Sequence, residues 1–172
     1  LRPSPGGMTD LTTERLTLRP FELTDAPFVL ELLNDPDWIR FIGDRKVRTI
    51  GDAERYIESR LLAQKRRVGF SLWRVTRRSD DLPVGMCGLV SREGLDDVDI
   101  GFAFLPAHRG SGYAVEAASA VMRHADTVLN IARVVAICDP DNAASIRLLE
   151  KLGFAYEKRV RLPNDTLELK LF

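Results

Sequence analysis

The sequence lacks the features that mark several large classes of protein. Among its 172 residues are two cysteines and two histidines, and lysine plus arginine equal aspartate plus glutamate at 25 each. A balanced charge gives no electrostatic case for nucleic acid or an anionic membrane as a partner. No apolar run approaches the roughly 18 residues of a membrane span, and the opening LRPSPGG has no hydrophobic core of a signal peptide. We therefore expect neither nucleic-acid nor membrane partners.

The few cysteines and histidines also limit the possible chemistry. Cys87 and Cys138 each lie in an apolar, strand-like run. Two buried thiols in a chain of this length are typical of reduced core residues, which favours a cytoplasmic protein over a disulfide framework. His108 and His124 have no cysteine or carboxylate at ligand spacing, so the sequence predicts no metal site.

The order of apolar patterns predicts one mixed α/β domain over residues 11–172, preceded at residues 1–10 by a disordered lead or a cloning remnant. Three strand-like runs with short charged spacers, GFSLWRV, LPVGMCGLV and VDIGFAFL, predict an antiparallel meander. One strand, TTERLTLRPF, with Leu16 and Leu18 on one face, and two helices precede it. The first helix, TDAPFVLELLND, can be capped by Thr24 or Asp25, and the second, TIGDAERYIESRLL, has Thr49 and Asp52 at capping-box spacing. A helix, the strand RVVAICD, the helix DNAASIRLLEKLGF and two strands around a PND turn follow it.

The glycine-rich hexamer RGSGYA, from Arg109 to Ala114, lies between a predicted strand and a predicted helix. Bare glycine amides at a helix start and an arginine fork are typical of a phosphate site. A Walker A loop is excluded, because no Gly-Lys-Ser/Thr follows at the required spacing. The dinucleotide fingerprint matches only partly, since Val115 replaces its third glycine. The alternative is a turn that only starts a helix.

The hexamer is similar to the Arg/Gln-x-x-Gly-x-Gly/Ala pattern of the GNAT superfamily of N-acetyltransferases, which bind acetyl-coenzyme A. Two further segments, TERLTLRPFELTDAPFVLELLNDPD and NAASIRLLEKLGF, resemble the RimJ/RimL-like branch, which acetylates the N-termini of ribosomal proteins. The resemblance covers nearly the whole chain. It implies a mostly antiparallel seven-stranded sheet, splayed at the middle, with about four helices, and a single N-acetyltransferase domain over residues 11–172.

The resemblance also implies a set of cofactor contacts for acetyl-coenzyme A. The strand before the loop would offer free backbone groups to the pantetheine arm, and the loop amides would bind the pyrophosphate. An asparagine at the start of the last helix would add a contact, with a plain helix cap as the alternative. The two phenylalanines of the strand are also typical core residues. The positions implied are Phe102, Ala103, Phe104, Arg109, Gly110, Ser111, Gly112, Tyr113, Ala114 and Asn142.

Acetyl transfer to an amine needs a neutral nucleophile and a donor for the departing thiolate. By resemblance, Asp99 aligns with the acidic base of several family members, with a place in a solvated acidic turn beside Asp96 and Asp97 as the alternative. Glu116 matches a glutamate of the loop motif. The alternative for Glu116 is a favourable charge in the first helical turn. Many members carry a tyrosine where this sequence has Leu149, so Ser145 is the candidate near the coenzyme sulfur.

The acceptor pocket is predicted beside the two early helices, where DPDWIRF supplies Trp38, Arg40 and Phe41. A core role for Trp38 is the alternative. The main hypothesis is acetyl transfer to a primary amine, preferably the α-amine of a protein or peptide, by a monomer or homodimer. A small-molecule amine (antibiotic, amino acid or polyamine) and a non-catalytic acyl-coenzyme A sensor are the alternatives.

Overall fold

A computed structural model describes residues 8–163 and 165–172. Its strands are β1 Leu11–Thr12, β2 Leu16–Pro20, β3 Leu72–Arg77, β4 Leu82–Val90, β5 Val98–Phe104, β6 Val134–Val135, β7 Ile137–Cys138, β8 Lys158–Arg161 and β9 Glu168–Leu171. Its helices are α1 Ala26–Leu33, α2 Pro36–Phe41, α3 Ile50–Tyr56, α4 Ala63–Val68, α5 Tyr113–Thr127 and α6 Ala143–Lys151. The predicted mixed α/β class is confirmed, and each predicted strand and helix is present, with additional elements among them.

The strands form two sheets, and the consecutive strands β6 and β7 belong to different ones. The larger sheet has the order β1-β2-β3-β4-β5-β6 and is antiparallel except for the parallel pair of β5 and β6. That pair consists of Val98 with Val134 and Asp99 with Val135 only. Beyond it, residues 100–104 of β5 pair with β4 alone among the described strands. The predicted splay is confirmed, and it leaves one edge of β5 free.

The predicted count of seven strands differs from the structure because one strand is divided. The run RVVAICD was expected as a single strand, but Ala136 exchanges hydrogen bonds of 3.0 and 2.8 Å with Phe172. This exchange turns β7 away from β5 and into a second sheet of order β7-β9-β8. The two-residue β1 is a further addition to the predicted set.

Helices cover both faces of the larger sheet, and β5 alternates between them. Ile100 and Phe104 belong to the core that α5 covers, whereas Ala103 packs with a second core formed by α1 to α4. Asp99 has the same parity as Ala103 and therefore faces the α1–α4 side. This alternation decides which predicted site residues lie on which side of the sheet.

The early helices differ from the prediction in number and capping. The segment DPDWIRF forms α2, whose N-cap Asp35 accepts from the amide of Trp38 at 3.3 Å. Helix α3 begins with the predicted capping box of Thr49 and Asp52, and it continues through a π-helical segment, Ile57–Leu62, into α4. Asp25 makes no cap bond to α1, because its carboxylate binds arginines instead. The extra helix α2 raises the count above four.

Both ends of the predicted domain gain detail from the structure. The predicted lead is wrong for residues 8–10, since Met8 packs on the core and the Thr9 carbonyl accepts from the indole of Trp73 at 3.0 Å; residues 1–7 lie outside the described range. β8 and β9 pair as the predicted hairpin, although Asn164 of its turn lies outside that range too. No helix among the described residues has the length and apolarity that crossing a bilayer requires.

Candidate active site

The glycine loop presents a row of exposed amides at the start of α5. Gly112 is the N-cap residue, with a left-handed φ of 82°. Within the described chain, the amides of Gly110, Ser111 and Gly112 donate to no backbone carbonyl. The first-turn amides of Tyr113 and Ala114 have no acceptor inside the helix, because a helix leaves its first N–H groups unpaired. Five consecutive N–H groups are therefore available at the positive end of a helix, which favours an anion.

A brace that the sequence reading did not find holds this loop from the N-terminal strand. Arg15 donates from Nη1 to the Ser111 carbonyl at 2.8 Å and from Nε to Glu116 at 2.7 Å. Its guanidinium also lies 4.5 Å from the centre of the Tyr113 ring. Thr13 donates to the second Glu116 oxygen at 2.5 Å. These contacts give Glu116 a structural place at the loop, and its predicted catalytic role stays a prediction.

Arg109 braces the other side of the loop, which corrects its predicted role. Its guanidinium donates to Asp35 at 2.6 Å, to Asp37 at 2.5 Å and to the Phe104 carbonyl at 2.9 Å. The expected fork for phosphate oxygens is therefore occupied by carboxylates at the start of α2. The backbone amide of Arg109 is bound as well, since it donates to the Pro106 carbonyl at 3.3 Å.

The free edge of β5 runs from the β5–β6 fork towards the glycine loop. Phe102 and Phe104 direct their side chains into the α5 core, as expected for core residues. The Phe104 carbonyl accepts from Arg109, and the other outer backbone groups of the segment 101–104 have no β-ladder partner on this side among the described strands. Unpaired strand groups are strong hydrogen-bonding sites for an extended ligand.

The start of α6 follows β7, on the diverging arm of the fork. Asn142 caps the helix, and its side-chain oxygen accepts from the Ser145 amide at 3.2 Å. Burial raises the pKa of the Cys138 thiol to about 11, the Asp139 charge adds to that rise, and the nearby side chain of the half-buried Ser145 counters part of it. The cap is confirmed, whereas the cofactor contact of Asn142 and the role of Ser145 stay predictions.

Asp99 lies at the fork itself, buried to 1% exposure. Arg92 donates from Nε to both carboxylate oxygens, at 3.0 and 3.1 Å. Burial raises the pKa of Asp99 to about 6, and the Arg92 charge and hydrogen bond limit that rise. A carboxylate with a pKa this close to neutrality can accept and release a proton at physiological pH.

This combination of a divided sheet, a free strand edge and a glycine loop matches known proteins. The family model described as the acetyltransferase (GNAT) domain matches residues 15–155. The chain belongs to the GNAT acetyltransferase family. Members of this family transfer an acyl group from acetyl-coenzyme A to an amine, and the predicted family and enzyme class are confirmed.

The relatives of this GNAT acetyltransferase come from several bacteria. The uncharacterized protein YkkB of Bacillus subtilis is 34% identical over 162 residues, which are 92% of each chain. The spermidine N(1)-acetyltransferase of Escherichia coli is 26% identical over 141 residues, 81% of this chain and 73% of that protein. Both similarities span most of the domain.

Solved structures share the fold over nearly the full chain. A GNAT acetyltransferase of Bacillus anthracis superposes with a TM-score of 0.77 at 26% identity, covering 95% of this chain and 96% of that one. The ribosomal L7/L12 α-N-protein acetyltransferase RimL, in complex with coenzyme A, has a TM-score of 0.80 at 17% identity, with 95% and 96% covered. At that identity, RimL supports the fold alone.

The acceptor residues predicted for this GNAT acetyltransferase do not form one pocket. Trp38 is 5% exposed and packs in the α1–α4 core, which corrects its predicted place on a pocket wall in favour of the core alternative. Arg40 is exposed on α2, and its guanidinium lies 4.6 Å from the centre of the Phe41 ring. None of Trp38, Arg40 and Phe41 lines the cleft that lies nearby.

That cleft, of about 360 Å³, lies between the α2–α3 connection and the α3–π segment on the α1–α4 side of the acetyltransferase. Sequence reasoning missed it, although Tyr56 and Arg60 lie four positions apart on one helical stretch, which is the spacing of neighbours on a helix surface. The cleft is lined by Asp44, Arg45, Lys46, Val47, Asp52, Arg55, Tyr56, Ser59 and Arg60.

Proposed function

We propose that the protein transfers the acetyl group of acetyl-coenzyme A to the α-amino group of a protein or peptide. The observation that carries this proposal is the buried Asp99 at the fork, whose pKa of about 6 suits an amine that is already partly neutral. A free α-amino group titrates at about 7.7–8.0, whereas a lysine near 10.4 needs a much stronger base. The two cysteines, both free and buried, fit the cytoplasmic location that we propose for this activity.

The residues at the fork and loop fit acetyl-coenzyme A. The five amides from Gly110 to Ala114 would bind the pyrophosphate, and the free edge of β5 at residues 101–104 would pair with the pantetheine arm. A Cβ placed on Gly110 would meet no atom within 4 Å, so the loop leaves room for close approach of a ligand. When bound, the cofactor supplies an activated thioester.

The chain's own groups have separate tasks in this proposal. The acceptor amine gives up a proton as it attacks, and Asp99 accepts that proton directly or through a water molecule. Ser145 donates a hydrogen bond to the departing sulfur, supported by the positive end of α6. Arg92 limits the rise in the pKa of Asp99, so the carboxylate can act as a base near pH 7.

Spermidine N(1)-acetyltransferase is among the relatives, so a polyamine is the main competing acceptor. A polyamine carries several positive charges and is recognised best by unpaired carboxylates. In the cleft, Asp44 and Asp52 are both paired with arginines, at 2.6 and 2.5 Å. This pairing favours a peptide or amino-acid-like amine over a polyamine.

Blocking the α-amine of a test peptide should remove activity. A peptide with one internal lysine should be acetylated at its N-terminus, and its Nα-blocked version should react roughly 100-fold more slowly or worse near pH 7.5. The reason is that the lysine amine is almost entirely protonated there. Thiol release and peptide mass measure the result. Equal rates on both peptides would exclude the α-amine.

Substituting Asp99 by asparagine should change the pH profile of kcat/KM. For the wild type we expect log kcat/KM to rise with a slope of about two below pH 6, where base and amine both titrate, and about one from pH 6 to 8. Asp99→Asn should show the slope of one throughout. Asp97→Asn is the matched control. Asp97 lies two residues before Asp99, and its partly exposed carboxylate pairs with Arg133. An unchanged slope in Asp99→Asn would remove Asp99 as the base.

The same variant should alter stability against pH in a defined direction. The pKa of Asp99 rises from 3.8 to about 6 on folding, so the folded state binds the proton more tightly. This contribution to the free energy of unfolding is present below pH 4 and is lost as the pH rises through about 6. The loss is on the order of 3 kcal/mol. In urea titrations, the free energy of unfolding should differ less between pH 4 and pH 7 for Asp99→Asn than for the wild type.

A further inference from the structure

The cleft beside the fork carries an excess of positive charge. Asp44 is bound by Arg48, and Asp52 by Arg55 and by the amides of Arg48 and Thr49. Among the described residues, no carboxylate oxygen lies within 4 Å of the other cations of the lining, Arg45, Lys46 and Arg60.

Arg45 is the most deeply placed of these cations. Its Nε is fully buried and has no hydrogen-bond partner in the described chain. Burial is the main cause that lowers the pKa of its guanidinium, and the neighbouring charges of Arg60 and Arg92 lower it further. Tyr56, and more weakly Asp165 of the β8–β9 connection, raise that pKa. Asp165 lies beyond ion-pair distance from Arg45. A buried donor without an acceptor costs free energy unless a ligand supplies one.

One cleft residue, Tyr56, and the proposed catalytic carboxylate both lie near Arg92. Burial raises the pKa of Tyr56, which lies on the cleft wall. The nearby charges of Arg45, Arg60 and Arg92 counter part of that rise. Arg92 in turn binds Asp99. Asp99 also faces the α1–α4 side of the sheet, the side on which the cleft lies. An acceptor with its amine at Asp99 would therefore have its other groups on the side of the sheet that carries these arginines.

We propose that the acceptor carries a carboxylate close to its reacting amine, and that Arg45 and Arg60 bind this carboxylate in the cleft. This substrate class rests on the proposed function. Guanidinium groups suit the task because their planar fork matches a carboxylate with two parallel hydrogen bonds. A polyamine or a lysine-rich N-terminus would be repelled by the same groups.

The carboxylate has two possible sources with the same chemistry. One is the α-carboxylate of an amino acid or dipeptide, and the other is an acidic side chain next to the N-terminal residue of a longer chain. Free Ala-Glu and Ala-Gln, and the C-terminally amidated pentapeptides AEAAA, AQAAA and AKAAA, distinguish these sources. Activity on the free dipeptides alone assigns the α-carboxylate, whereas preference for AEAAA-amide over AQAAA-amide assigns the side chain.

The experiment compares kcat/KM for these acceptors and spermidine by thiol release. We expect the best acidic acceptor to exceed AKAAA-amide and spermidine by roughly 10- to 100-fold, the range expected for hydrogen bonds between charged groups. Arg45→Gln and Arg60→Gln should each remove most of this preference through KM. Arg60→Glu should shift it towards AKAAA-amide. Arg67→Gln, which removes an exposed arginine on α4 outside the cleft lining, should keep it.

Each contrary result has a separate meaning. Equal or faster acetylation of AKAAA-amide or spermidine by the wild type would overturn the carboxylate preference and leave the transferase activity standing. An acidic preference that survives Arg45→Gln and Arg60→Gln would overturn the assignment of the cleft. If acetyl-coenzyme A stabilised the protein but no acceptor released thiol, the proposed function itself would fall.

Discussion

Ser145→Ala should lower kcat by roughly 10²- to 10⁴-fold, the loss typical of one acid–base group, while the affinity for acetyl-coenzyme A changes little. A hydroxyl at the start of α6 can assist a departing thiolate by hydrogen bonding, and the helix dipole strengthens that effect. The substitution leaves the cap intact, because Asn142 accepts from the backbone amide of Ser145 and not from its hydroxyl. Steady-state kinetics with AEAAA-amide, or another acceptor that turns over, measure the loss.

Ser145→Thr is the matched control, because it retains a hydroxyl at the same position. We expect this variant to keep most of the activity that Ser145→Ala loses. Near-normal turnover in Ser145→Ala, with the cofactor still stabilising the protein, would show that positioning and a neutral amine suffice. Thermal unfolding of each variant separates a lost chemical role from a lost fold.

Gly112→Val should abolish the stabilisation that acetyl-coenzyme A gives the wild type. At a concentration 100 times Kd, a ligand that binds only the folded state adds about 2.7 kcal/mol, which corresponds to a rise in Tm of roughly 5–10 °C for a domain of this size. A valine at a φ of 82° is strained, and its Cβ would lie 3.3 Å from Nη2 of Arg15, the brace of the loop. The amides of the loop would then lose their common direction.

Gly153→Val provides a control with matched strain. Gly153 follows α6 with a φ of 91°, and its Cβ would meet no atom within 4 Å. Both variants should lose stability, of the order of 1–3 kcal/mol for the strained backbone, but Gly153→Val should keep the cofactor-induced rise in Tm. A larger rise with NADH or ATP than with acetyl-coenzyme A would contradict the assignment of the loop.

The sequence predicts those parts of the molecule that depend on local patterns. Alternation predicted a half-buried strand around Leu16 and Leu18, whose side chains are fully buried, and the capping box at Thr49 needed only residues three positions apart. The glycine loop was found because its amides need a specific local backbone. In each case the physical cause lies within one element.

The missed features depend on residues far apart in the chain. Division of the strand at Ala136 requires hydrogen bonds to Phe172, and the side chain of Arg109 is directed by Asp35. Arg45 and Arg60 lie in charged runs that are typical of solvated surface. Only the tertiary fold brings them near Arg92, so no periodicity could have indicated a shared cleft.

The two braces of the glycine loop have a consequence for the order of folding. Arg15 and Glu116 are 101 positions apart, and Arg109 and Asp35 are 74 apart. Contacts at such separations form late, because closing a long chain segment costs entropy before any contact compensates for it. The cradle for the cofactor is therefore assembled only when the N-terminal strand and α2 have docked. A nascent or partly folded chain has the loop sequence without its geometry, so cofactor-induced protection from proteolysis reports completed folding of the whole domain.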